Sequence, residues 1–185
     1  RLPAGGILAV PHLGNWELGA LILHYLGLPM LFLAKRQKNP LTDAYLNRLR
    51  GLSGAETIPN DAHLLRKVLR ELQGGRILAM LPDVRAKTKA LDIQFLGDRA
   101  NLGGGAGLFA HRCELPVCPV TTWREGWTTH RWELHDTLQP DPGLSREEDM
   151  QRITQALVSL FEQRIRERPE QYFWYNKRWV LDPIE

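Results

Sequence analysis

A single α/β domain, with a central, mostly parallel sheet flanked by helices, is the fold class this sequence predicts. Three observations carry that expectation. Apolar runs of strand length at 7–10, 30–34, 77–81 and 115–121 alternate with stretches that repeat apolar residues at helical spacing. Runs apolar on both faces suit parallel strands buried between helices, and the alternation supplies the crossovers such a sheet needs. A length of 185 residues with 43% hydrophobic content is enough for one sizeable core. No repeat, low-complexity segment or linker divides the chain, so one domain is expected over 1–185.

Taken in order, the first apolar run is broken by Pro11 and Gly14, and an amphipathic stretch over 17–26 begins just after Trp16. His12 then falls in the turn at the carboxyl end of a strand, where open α/β sheets keep their active sites. Glu17 lies in the first turn of the helix, placed to face back toward the imidazole. A carboxylate on one ring nitrogen fixes the tautomer and leaves the other nitrogen free to take a proton. The pair reads as a general base with its orienting acid; the plain alternative is a satisfied histidine with no chemical role.

Gly27 and Pro29 mark a turn into the strand at 30–34, and Lys35, Arg36 and Lys38 place positive charge at its carboxyl end. Asn39-Pro40 opens a helix with Leu41, Tyr45 and Leu49 on one face. Arg50 closes that helix, serving either the helix dipole or an anionic group. A short strand at 57–59 precedes a helix capped by Asn60 or Asp61, with Leu64, Leu65, Val68, Leu69 and Leu72 turned inward. Gly74-Gly75 stops it, and the strand at 77–81 runs into Asp83, which either caps a turn or belongs to a site. Arg85, Lys87 and Lys89 follow in a polar loop, and 93–97 reads as a strand and turn.

The glycines of 103–107 suit close backbone approach before a helix over 108–113. The last core strand, 115–121, leads through a hairpin around Glu125-Gly126-Trp127 to an alternating edge strand at 130–134. Ser145 and Glu148 form a capping box for a long helix with Ile153, Leu157, Leu160, Phe161 and Ile165 as its apolar stripe.

Composition narrows the function classes. A net charge of +3 and a pI near 9.0 make a mildly basic protein. That suits an anionic membrane surface or an acidic carrier protein and falls short of a nucleic-acid-coating one. Cys113 and Cys118 lack the further ligands of a metal site and read as buried free thiols of a reducing compartment. The glycine run matches neither a dinucleotide fingerprint nor a P-loop. Gly51-Leu52-Ser53-Gly54-Ala55 follows a helix and lacks the last glycine of a nucleophile elbow. The apolar stretch from 18 to 34 is broken by His24, Gly27 and Pro29, unlike a membrane span. The chain starts without Met and enters its first strand almost at once, so an amino-terminal segment, including any membrane anchor, is expected to precede it.

His-x4-Glu after an apolar strand resembles the signature of the glycerolipid acyltransferase superfamily. The fuller string His12-Leu13-Gly14-Asn15-Trp16-Glu17 resembles its lipid A biosynthesis (lauroyl/myristoyl) branch. Further blocks follow in family order: Asn39-Pro40 with the Arg50 region, Pro82-Asp83, and Leu115-Pro116-Val117-Cys118-Pro119-Val120. The last is Pro169-Glu170-Gln171-Tyr172-Phe173-Trp174 with Lys177-Arg178-Trp179. The chain departs from the family pattern at Val84, Asn101-Leu102, Asn176 and Val180, positions that bear on the acceptor rather than on the base.

The resemblance implies a fatty acyl chain moved from an acyl-carrier-protein or acyl-coenzyme A thioester to a hydroxyl of a membrane glycolipid such as a lipid A precursor. It implies no cofactor beyond that co-substrate. The setting it implies is the cytoplasmic face of the inner membrane, with the protein peripheral or anchored. His12 would be the base and Glu17 its orienting acid. No Ser or Cys stands where an acyl-enzyme would form, so direct attack on the thioester is expected, with backbone amides over 13–15 as candidate oxyanion donors. By the same resemblance Arg50, Asp83, Asn15 and Arg36 contribute to substrate binding. Arg50 would grip a phosphate, and Asp83 would position a basic side chain or a substrate hydroxyl. Lys35, Arg36, Arg85, Lys87, Lys177 and Arg178 would form a basic rim. The residues alone leave open a thioesterase that uses water at the same base, or a lipid-binding module without turnover.

Overall fold

Strand β1 (Gly6–Ala9) is buried along its whole length in the middle of a six-stranded sheet. The computed structural model describes residues 5–34, 37–52, 56–59, 64–87, 91–174 and 181. In chain order β1 is followed by α1 (Trp16–Tyr25), β2 (Met30–Ala34), α2 (Pro40–Leu52), β3 (Glu56–Pro59), α3 (Leu64–Gln73) and β4 (Ile77–Met80). Then come the β5 (Leu91–Phe95) and β6 (Asp98–Leu102) hairpin, α4 (Gly105–Cys113), β7 (Val117–Arg124), β8 (His130–Leu134) and α5 (Arg146–Glu167). The sheet order is β3-β2-β4-β1-β7-β8, parallel throughout except for the antiparallel edge strand β8.

The apolar runs become central strands because both of their faces are covered. Successive residues point to opposite sides of a strand. Accordingly Ile7, Ala9, Leu31, Leu78 and Met80 join one core with α3, α4 and α5, while Leu8, Val10, Met30, Ile77 and Ala79 join a second beneath α1. The capping box is present in full, Ser145 and Glu148 exchanging hydrogen bonds with each other's backbone amides. It launches α5, whose stripe residues Ile153, Leu157, Phe161 and Ile165 are buried.

Three elements differ from the sequence reading. The stretch after 93–97 doubles back as β6, forming a separate two-stranded sheet with β5. Its two-residue turn, Leu96-Gly97, has φ values of 55° and 88°. Leucine is an unusual first residue for such a turn, which favours Asn or Asp there. The Leu96 amide donates to Glu162 Oε2 at 2.7 Å and its side chain packs against the core, which offsets the backbone strain.

The glycine run does not precede α4 but enters it, since the helix starts at Gly105. A Cβ on Gly107 would stand 2.7 Å from Met150 Cα, so glycine is what lets α4 lie close on α5. Helix α2 forms where expected, yet Leu41, Tyr45 and Leu49 face solvent rather than a neighbouring element. The expected caps Asn60 and Asp61, together with Lys89, lie outside the described residues. Cys118 is buried and Cys113 half-buried, and burial pushes both thiols above the ordinary range.

Candidate active site

Three residues after β4 ends, the chain turns Asp83 into the interior beside the segment that leaves β1. The two strands are paired neighbours, and the ladder continues one step past β1 through the Val10 amide to the Met80 carbonyl at 3.0 Å. Adjacent parallel strands thus deliver His12 and Asp83 to the same point at the carboxyl end of the sheet. Asp83 Oδ1 lies 2.7 Å from His12 Nδ1, and Asp83 Oδ2 accepts the His12 backbone amide at 2.8 Å. A carboxylate oxygen only accepts, so Nδ1 carries the hydrogen and Nε2 presents its lone pair. The His12 side chain is 20% exposed and the Asp83 side chain 0%. Nε2 has no hydrogen-bond partner among the described residues.

The carboxylate against the imidazole is therefore Asp83, not Glu17. Nearness in sequence pointed to Glu17, but one turn into α1 that side chain reaches the end of α2. There Arg50 Nε donates to Glu17 Oε2 at 3.0 Å and Arg50 Nη2 donates to Oε1. This two-pronged ion pair ties α1 to α2 beside the site. It also engages the guanidinium that the sequence reading assigned to a substrate phosphate.

Asn15 is the N-cap of α1, its side chain accepting the Leu18 amide at 3.0 Å. Of the proposed oxyanion donors, the Leu13 amide is bonded to the Pro11 carbonyl at 2.7 Å and the Gly14 amide to the Gln171 carbonyl at 3.0 Å. Among the described residues the Asn15 amide has no partner. Arg36, Lys35, Lys177 and Arg178 lie outside the described residues. Of the expected basic rim, Arg85 is half-buried and bridged to Leu102, and Lys87 is exposed, both on the loop that follows Asp83. Asn101, one of the departures from the family pattern, donates to the Ala86 carbonyl at 3.4 Å, while Val84 is exposed.

The sequence reading did not assign a role to the segment that completes the site. After α5 and a short 3-10 turn, Gln171 to Phe173 run antiparallel to His12 to Gly14. Leu13 pairs with Tyr172, and the Phe173 amide donates to the His12 carbonyl at 2.9 Å. Tyr172, buried, donates its phenolic hydrogen to Asp83 Oδ2 at 3.2 Å. Phe173 and Trp16 close around the imidazole, with ring centroids 6.2 and 5.0 Å from that of His12. In the sequence the block 169–174 stands out by its resemblance alone; nothing in its periodicity shows which loop it lies against.

Comparison with known proteins identifies the family. Residues 3–180 match the family model for the bacterial lipid A biosynthesis acyltransferase. A phosphatidylinositol mannoside acyltransferase of Mycobacterium tuberculosis is 23% identical over 187 aligned residues, covering 98% of this chain and 56% of that protein. One from Mycolicibacterium smegmatis is 23% identical over 183 residues, covering 96% of this chain and 58% of its own length. The chain thus spans little more than half the length of the curated relatives it matches. With 3–180 covered by one family model and a histidine–carboxylate pair at the sheet's carboxyl end, the chain belongs to the bacterial lipid A biosynthesis acyltransferase family.

Proposed function

We propose that this protein moves a fatty acyl chain from an acyl-carrier-protein or acyl-coenzyme A thioester to a hydroxyl of a membrane glycolipid. The observation that carries the reading is His12, with Nδ1 held by a buried carboxylate and Nε2 unpaired among the described residues. An alcohol is a weak nucleophile at neutral pH, and a positioned base supplies about 10²–10⁴-fold. The acceptor O–H donates to Nε2 as its oxygen attacks the thioester carbonyl. The tetrahedral intermediate then collapses, breaking the C–S bond, and the departing thiolate takes the proton back from the imidazolium. Asp83 keeps the ring in the required tautomer and faces the positive charge while it exists. Of the three amides, that of Asn15, without a partner among the described residues, is the one left to receive the developing oxyanion.

The relatives' names support a glycolipid acceptor, since those proteins act on phosphatidylinositol mannoside. No helix among the described residues is long and apolar enough to cross a membrane. The exposed Ile22 and Tyr25 of α1, Leu26 just after it, and Leu41 and Tyr45 of α2 support contact with a bilayer surface. Inner-membrane placement, on the face where acyl thioesters are made, follows from the same reading.

The test is acyl transfer from a labelled thioester to extracted glycolipid by the wild-type protein and by His12→Ala. The variant should lose about 10²–10⁴-fold in kcat while its circular dichroism and melting curve are kept. Near-normal transfer by His12→Ala would remove the mechanism. Thiol release with no acylated lipid, whatever the acceptor, would make the protein a thioesterase instead.

A further inference from the structure

The buried phenol of Tyr172 is not used by the reaction just described, yet it lies against the group that orients the base. Asp83 accepts three hydrogen bonds: Nδ1–H of His12 on Oδ1, and the His12 amide and the Tyr172 hydroxyl on Oδ2. The phenol and imidazole thus share one carboxylate through its two different oxygens. Tyr172 is itself held by the backbone. Leu13 pairs with it, Gly14 and His12 bond to its neighbours, and the Gln171 side chain clasps Arg124 through both N–H and C=O, at 2.7 and 3.0 Å. Trp174 stacks edge-on against the ring at 5.0 Å between centroids. Burial, and then the facing carboxylate, push the phenol above its ordinary range, so it stays a donor at every pH of interest.

We propose that Tyr172 is a positioning residue that acts through Asp83, setting both the plane of the carboxylate and how much negative charge it presents to the imidazole. The inference rests on the acyl-transfer reading for its kinetic consequences, but not for its structural ones. A donor on Oδ2 draws charge away from Oδ1. Deleting it leaves a more negative partner facing His12, which favours the protonated ring. Among the described residues the Glu17–Arg50 ion pair joins α1 to α2, and substitution at 172 removes neither of its partners. The Tyr172 hydroxyl therefore tunes the pH at which the base becomes available.

Tyr172→Phe keeps the ring and removes the hydroxyl that donates to Asp83. Its kcat should fall roughly tenfold, the scale of one hydrogen bond to a charged group, with KM little changed and the acidic limb of kcat/KM shifted to higher pH. In an Asp83→Asn background the same change should cost little more, because the intermediary is already gone. Equal losses in both backgrounds, with an unmoved pH profile, would overturn the proposal. The His12 ring titration followed by NMR needs no substrate: a shift on Tyr172→Phe without acyl transfer by either protein would sink the functional reading and leave this one standing. An unmoved titration sinks this one alone. If Tyr172→Phe fails to fold, Tyr172→3-fluorotyrosine, the same shape with a stronger donor, should move the limb to lower pH, and no movement there is equally fatal.

Discussion

Gly14, two residues beyond His12, has φ of +61°, and a Cβ on it would lie 2.4 Å from the Thr122 carbonyl oxygen and 2.7 Å from Trp123 Cα. Backbone, not a flexible side chain, is in the way. Gly14→Ala should therefore cost about 3 kcal/mol, combining left-handed strain with overpacking. Urea unfolding measures it, and a change below about 0.5 kcal/mol would show that the loop has room to shift. His12 was legible in the sequence because a histidine after an apolar strand, followed by breakers, has few other places to go. The place of Asp83 just past the end of a strand was legible from the apolar run before Pro82, while whether it capped a turn or entered a site was left open. Their partnership was not legible, since sequence spacing favoured Glu17 and only the pairing of β1 with β4 brings residues 71 apart together. Arg50 and Glu17 were each singled out, and what the sequence could not show is that they neutralise each other.

Helix α2 shows what periodicity measures and what it does not. Leu41, Tyr45 and Leu49 share a face as their spacing requires, but they are 80%, 61% and 40% exposed. A pattern reports that a helix has an apolar side, not that this chain covers it. Leu41→Gln with Tyr45→Gln should leave the stability of the isolated protein within about 0.5 kcal/mol, as substitutions at exposed positions do. A loss of several kcal/mol in a chemical melt would mean that these side chains are packed. The β5–β6 hairpin was missed for the converse reason. Its turn is held by a contact with Glu162 on α5 rather than by the residue types that usually announce one.

At the scale of the molecule, the parallel order of β2, β4, β1 and β7 was foreseeable from four apolar runs separated by helices, whereas the strand sequence across the sheet was not. A second network fastens the layer of α4 and α5. Asp149, fully buried, accepts from His111 Nδ1 at 3.0 Å, from Arg152 and from the Asp141 amide. Burial pushes its carboxyl up, but the hydrogen bonds from His111, Arg152 and Asp141 prevail and hold it below the ordinary value. Its stabilisation is thus complete above the unfolded carboxyl pKa of about 3.9 and is lost as pH falls through the folded one. Asp149→Asn should cost about 3 kcal/mol at neutral pH. That deficit should narrow in melts below about pH 4, and a deficit that stays constant with pH would refute the assignment.

The strap through Tyr172 also has a consequence for the order in which the molecule is made. His12 and Asp83 are 71 residues apart and Asp83 and Tyr172 another 89, so the dyad's last support is made well after the two residues it holds. A nascent chain that has already paired β1 with β4 still holds an unsupported carboxylate. The carboxylate therefore gains its phenol donor only after the stretch from β5 to α5 has followed β4 out of the ribosome, well after β1 and β4 are both available to pair.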